Sequence, residues 1–131
     1  MTVLIGYVPT PVGEAALAAG LAEAAVRGDD AVILNSPRRG STVDADLVDT
    51  TSADELVSRA HEAGVKASVD HAEHGSDLVS TFETLIERTG ASLVVIGLRR
   101  RSPVGKLVLG SDAQRLLLEL DVPVLAVKPA R

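Results

Sequence analysis

A chain of 131 residues has room for one ordinary domain, so residues 1–131 are expected to form one domain, with any site built inside it or between copies. With a formal charge of −5 and only Tyr7 and Phe82 as aromatic rings, nucleic acid is an improbable partner: duplex binding needs a basic face, and single-strand binding needs rings to stack on. The lack of cysteine excludes disulfides, thiolate metal sites and cysteine nucleophiles.

The N-terminus, MTVLIGYVPTP, carries no basic region and no apolar stretch adequate for a signal peptide, and no run approaches the length that spans a bilayer. The cytoplasm is the expected compartment, without membrane association. Residues 2–8 form an apolar, β-branched run that reads as a strand buried on both faces. Thr10-Pro11-Val12-Gly13 follows as N-cap, Pro at the first helical position and a loop glycine, and Leu17, Leu21 and Ala24 then mark a helix. A second buried strand covers residues 30–35. Residues 36–51, with Pro37 and Gly40, read as one long irregular loop. Ser52-Ala53-Asp54-Glu55 fits a capping box opening the helix of Leu56, Val57 and Ala60, which Gly64 closes.

Residues 65–69 alternate apolar and polar, as at a sheet edge. Asp70, His71, Glu73 and His74 have metal-binding atoms but fall at a strand end, where no helix sets both rings on one face; a solvated connection with Ser76 as N-cap is the preferred reading. Leu78, Val79, Phe82, Leu85 and Ile86 form an apolar helical stripe ending near Gly90. A buried strand at 92–97, a helix with Leu116, Leu117 and Leu120, and a strand from Val122 to Val127 complete a βαβαβαβαβ order. Right-handed crossovers turn that order into a twisted parallel sheet with helices on both faces, an α/β Rossmann-like fold.

The informative stretch is GLRRRSPVGKLVLGS, between a strand ending at Gly97 and the helix beginning DAQRLLLEL. This order places a helix N-terminus at the carboxyl edge of the sheet, where unpaired N–H groups and the helix dipole favour an anion. Gly110 lets a phosphate approach bare backbone, Ser111 adds a hydroxyl, and Arg99, Arg100, Arg101 and Lys106 supply positive charge. Ser111 and Gln114 also match a capping box, and Asp112 repels a phosphate at the same end. Gly105-Lys106 is no Walker motif, because Leu107 stands where a hydroxyl is needed, and no dinucleotide fingerprint follows the first strand.

The pattern resembles the universal stress protein family, whose signature is Gly, two residues, Gly, nine residues, then Gly followed by Ser or Thr. Gly97 fills the first position and Gly110-Ser111 the last, with Arg100 at the second glycine. The opening VLIGYVPT and closing DVPVLAVKP are also similar to a single-domain member. The resemblance implies a five-stranded parallel sheet of order 3-2-1-4-5, with ATP or a related adenine nucleotide between the first and fourth strands. It implies Gly97 near the ribose and α-phosphate. Gly110, Ser111 and the amides of Asp112 and Ala113 would hold the outer phosphates, and Pro9, Thr10 and Ser36 would border the adenine. Magnesium would enter only with the nucleotide.

At the position after the first strand where many members carry a ribose-binding Asp, this chain has Val8, with Glu14 the nearest carboxylate in sequence. Three functions follow: a nucleotide-binding regulatory module of stress response, a nucleotide-free interaction scaffold, and a slow ATPase or phosphotransferase that would need a base the sequence does not display. The family commonly pairs its last strand about a twofold axis, so a homodimer through Val122 to Val127 is expected, covering an apolar edge.

Overall fold

The structure, a computed structural model, describes residues 1–35, 45–71, 77–98 and 111–129, with side chains described except at 45–52 and 111–112. Among these residues, β1 (Thr2–Tyr7), α1 (Pro11–Arg27), β2 (Asp30–Asn35), α2 (Ala45–Glu62), β3 (Ala67–His71), α3 (Leu78–Thr89), β4 (Ala91–Gly97), α4 (Ser111–Glu119) and β5 (Val124–Val127) alternate along the chain. All four strand pairings are parallel, in the order β3-β2-β1-β4-β5. This is the order implied by the family resemblance.

The alternation of each strand divides the core into two layers. Val3, Ile5 and Tyr7 of β1 with Ala31 and Ile33 of β2 meet Ala16, Leu17, Leu21 and Ala24 of α1 and Leu56 and Ala60 of α2. Leu4, Val32, Leu34, Val94 and Ile96 meet Val79, Phe82 and Leu85 of α3 and Leu116 and Leu120 of α4. Thus α1 and α2 cover one face and α3 and α4 the other. The chain winds outward from β1 to β3, returns, and winds outward again from β4 to β5. The reversal lies between β1 and β4, where neighbouring crossovers leave the sheet on opposite faces.

Helix ends explain where the strands begin. After α2, Gly64 takes a left-handed conformation (φ 78°), Val65 N–H donates to the Ala60 carbonyl at 2.9 Å, and Gly64 N–H donates to that of His61 at 2.9 Å, a Schellman ending. Val65, 3% exposed, therefore belongs to the helix stop, and β3 runs over Ala67–His71 instead of the expected 65–69. The same ending at Gly28 brings Asp29 N–H onto the Ala24 carbonyl at 2.9 Å and turns the chain into β2. β3 and β5 are the edge strands, as expected.

Four other expectations are corrected. α2 begins at Ala45, so Ser52 lies inside a helix, and 45–51 is helical instead of loop. Asp77, not Ser76, caps α3, its carboxylate accepting from Ser80 N–H at 3.2 Å. Gly13 lies within the first turn of α1 and is not a loop glycine. α4 starts at Ser111 itself, one residue earlier than expected. In addition, β5 begins at Val124, after Pro123.

Candidate functional site

At the carboxyl edge of the sheet, β1 gives way to α1 within three residues. Thr10, in extended conformation (φ −142°, ψ 164°), caps α1 as expected, its Oγ1 accepting from Gly13 N–H. Thr10 N–H donates to the Val8 carbonyl at 2.8 Å, and its own carbonyl accepts from Glu14 N–H at 2.9 Å. A Cβ on Gly13 would lie 1.8 Å from the Val8 oxygen, so α1 meets the end of β1 at van der Waals contact that only glycine permits.

Gly97, at the end of β4, makes the second close approach. A Cβ there would lie 2.4 Å from Val12 Cγ1 and 2.5 Å from the Val12 carbonyl oxygen. The ends of β1 and β4 and the first turn of α1 therefore form one packed unit, with Gly13 against Val8 and Gly97 against Val12. Pro9 is exposed, while Val8, Thr10 and Gly97 are partly buried. Ala113 lies in the first turn of α4, partly buried against the second core layer. Ser111 and Asp112 open that helix, with side chains outside the described set. Ser36, Arg99, Arg100 and Gly110 lie outside the described residues altogether.

Glu14, the carboxylate nearest Val8 in sequence, is engaged on both oxygens. Tyr7 Oη donates to Oε1 at 2.7 Å, and Arg59 of α2 pairs with Oε2 at 2.6 Å. The hydrogen bond from Arg59 holds the Glu14 carboxyl below its ordinary range, and Glu14 in turn raises the Arg59 guanidinium. Burial, followed by the hydrogen bond to Glu14, pushes the Tyr7 phenol up to about 12. This triad ties β1, α1 and α2 together beside the candidate site.

One further polar residue stands out on this edge. Asn35, the last residue of β2, lies in register with Tyr7 of β1 and His71 of β3. The residue is 3% exposed, yet its Nδ2 has no hydrogen-bond partner. A buried donor left unpaired costs about 1–3 kcal/mol, so it calls for an explanation. The other such atom among the described residues, Ser92 Oγ, lies near the amino end of β4, away from this edge.

Sequence reasoning passed over Tyr7, Asn35 and Arg59. A polar amide closing an apolar strand at the carboxyl edge was the signal available for Asn35. Nothing local distinguished Arg59 from other surface arginines.

A cavity of about 380 Å³ opens further along the same edge, lined by Leu34, Asp70, His71, Asp77, Thr84 and Arg88 among others. Among the described residues none of those expected at the nucleotide site lines it; Asp70 and His71, which carry the metal-binding atoms weighed above, do, and Asp70 pairs with Arg88 at 3.4 Å. Among the described residues no group of three or more His, Cys, Asp or Glu is placed to hold a metal ion. Glu73 and His74 lie outside that set. No helix among the described residues is long and apolar enough to cross a membrane.

Comparison with known proteins places these features in context. The model of the universal stress protein family matches residues 1–128. A curated universal stress protein of Mycolicibacterium smegmatis is 38% identical over 127 residues, covering 97% of each chain. Among solved structures, the universal stress protein from Archaeoglobus fulgidus has a TM-score of 0.81 at 23% identity, covering 98% of each chain. A universal stress protein from Archaeoglobus fulgidus in complex with dAMP has a TM-score of 0.76 at 18% identity, again covering 98% of each chain. At these identities the structural likeness establishes the fold.

Proposed function

Since the chain belongs to the universal stress protein family, we propose that it is a regulatory module of stress response that takes up ATP or a related adenine nucleotide at the β1/β4 reversal and works as a homodimer. The observation that carries this reading is the reversal itself. β2-β1-β4-β5 brings the ends of β1 and β4 together with the N-terminus of α4 at one sheet edge, the position where open α/β sheets take ligands. The dAMP complex of a similarly folded relative adds support for an adenine nucleotide.

In this reading Pro9, Thr10 and Ser36 border the base and Gly97 lies beside the sugar. Gly110, Ser111 and the amides of Asp112 and Ala113 receive the phosphates, with Arg99 and Arg100 offsetting their charge. Magnesium would accompany the nucleotide. The partly buried, apolar Val8 cannot accept a hydrogen bond from a ribose hydroxyl through its side chain, and Glu14 is already held by Tyr7 and Arg59. Phosphate contacts therefore dominate affinity. Glu14, with its lowered pKa, is also a poor general base, which favours binding over turnover.

The same two observations favour a second reading, a nucleotide-free dimeric scaffold. One experiment decides between them. Denaturing the purified protein and identifying any released nucleotide, followed by calorimetry with ATP, ADP, AMP and cyclic AMP, should reveal binding. Gly110→Leu should abolish that binding with the circular dichroism spectrum unchanged, and undiminished ATP affinity in this variant would exclude the site. A phosphate-release assay on the wild type tests turnover.

A further inference from the structure

The orphaned amide of Asn35 points beyond the phosphate site. Along β2, Ala31 and Ile33 face α1 and α2, so strand alternation puts Asn35 on that same face, at its carboxyl rim. Tyr7 is its register partner on β1, one strand from the reversal. The neighbouring polar groups are already engaged: the Tyr7 hydroxyl donates to Glu14, whose other oxygen is held by Arg59. No described group accepts from Nδ2. A donor held unpaired in a buried layer at the carboxyl rim of the sheet, one strand from the reversal, is suited to an acceptor that arrives from outside.

The composition narrows what that acceptor is. Phe82, 2% exposed, belongs to the opposite core layer, and Tyr7, 6% exposed, is locked by Glu14. With no other Phe, Tyr or Trp in the chain, base selection cannot rest on stacking against an aromatic ring and has to come from hydrogen bonds. A carboxamide offers one donor and one acceptor side by side, which match N7 and the N6 amine of adenine, whereas guanine presents two acceptors at the same edge, O6 and N7.

We propose, resting on the adenine-nucleotide reading above, that Asn35 is the base-selecting residue of the site, donating through Nδ2 to an adenine ring nitrogen and accepting the exocyclic amine through Oδ1. Adenine is then preferred over guanine by Asn35, while affinity for the polyphosphate tail is independent of it.

The test is calorimetry of wild type, Asn35→Leu and Asn35→Ala with ATP, GTP and inorganic tripolyphosphate, alongside thermal unfolding of each protein without ligand. Wild type should prefer ATP to GTP by about tenfold or more, the range of one or two ligand hydrogen bonds. Both variants should lose that preference through weaker ATP binding, with tripolyphosphate affinity unchanged. Asn35→Leu should unfold no earlier than wild type, because it removes an unpaired buried donor. An unchanged ATP-to-GTP ratio in the variants would overturn the role of Asn35 and leave the nucleotide site standing. Failure of the wild type to bind either nucleotide would overturn both.

Discussion

Tyr7 makes the electrostatics of this edge measurable. It is the only tyrosine, and there is no tryptophan, so phenolate absorbance reports on it alone. Burial and the Glu14 carboxylate favour the neutral phenol and raise its pKa from 10.0 to about 12. An unfolded chain ionises this group near its ordinary value while the folded chain keeps the proton. The stabilisation is therefore complete below pH 10 and drains away as pH rises toward about 12. The absorbance midpoint should lie near 12 in the folded protein. Glu14→Gln should lower it without restoring the ordinary value, because burial, the larger cause, stays. A wild-type midpoint at the ordinary value would show that Tyr7 is neither buried nor held by Glu14 in solution. At this scale the sequence was only partly legible. Thr10 is legible as a cap from local pattern, because a hydroxyl before a proline carries its reason with it, whereas Gly97 enters through the family signature and its contact with Val12 has no local signal. Tyr7, Asn35 and Arg59 acquire their roles only from neighbours on other elements.

Elements were legible in order and type but not always at their ends. Thr50, Thr51 and Ser52 are weak helix formers, so Ser52 to Glu55 looks like a start, yet the helix runs through it from Ala45; propensity is a weak prior that tertiary context overrides. Asp77, the cap of α3, also takes Arg115 of α4, Nη1 lying 2.6 Å from Oδ1, a partner invisible to local pattern. The hydrogen bond from Arg115, then those from Ser80, lowers the Asp77 carboxyl from 3.8 to about 2. The α3–α4 link is therefore intact above pH 3.8 and weakens as pH falls toward about 2. Carboxyl-carbon NMR titration should place Asp77 near the lower value, and Arg115→Gln should move it back toward 3.8 and shift acid unfolding to higher pH. The packing of α1 gives a second element-scale test. Gly20→Ala adds about 1 kcal/mol of helix propensity but places a Cβ 2.4 Å from Cγ1 of the fully buried Ile5. Overpacking of about 1–3 kcal/mol outweighs that gain, so denaturant unfolding should show a net loss. Gly97→Ala should cost more, because its Cβ meets the Val12 backbone oxygen at 2.5 Å as well as Val12 Cγ1, and backbone cannot rotate out of the way. A neutral Gly97→Ala would mean that α1 can lift from β4 without penalty.

At the scale of the whole molecule, β5 is what the fold leaves unfinished. Its four residues are all partly exposed although they contribute to both core layers. The ladder to β4 alternates: Pro123 and Val127 carbonyls accept from Val94 and Leu98 N–H at 3.0 and 2.7 Å. By the two-residue period of a parallel ladder, the N–H groups of Val124 and Ala126 then point away from β4, toward the free edge. An apolar edge with outward N–H groups is a template for a further strand, and pairing with a twofold-related β5 closes it without leaving another edge open. Leu125→Lys sets like charges together at such a pairing and should give a monomer by sedimentation, but Leu125 also packs on the first core layer, so loss of fold is a competing explanation. Ala126→Pro separates the two. Its missing N–H is one that β4 does not use, and proline is tolerated on a free edge, so the monomer should keep its circular dichroism while the dimer is lost. A dimer that survives Ala126→Pro with unchanged sedimentation would place the contact on another surface.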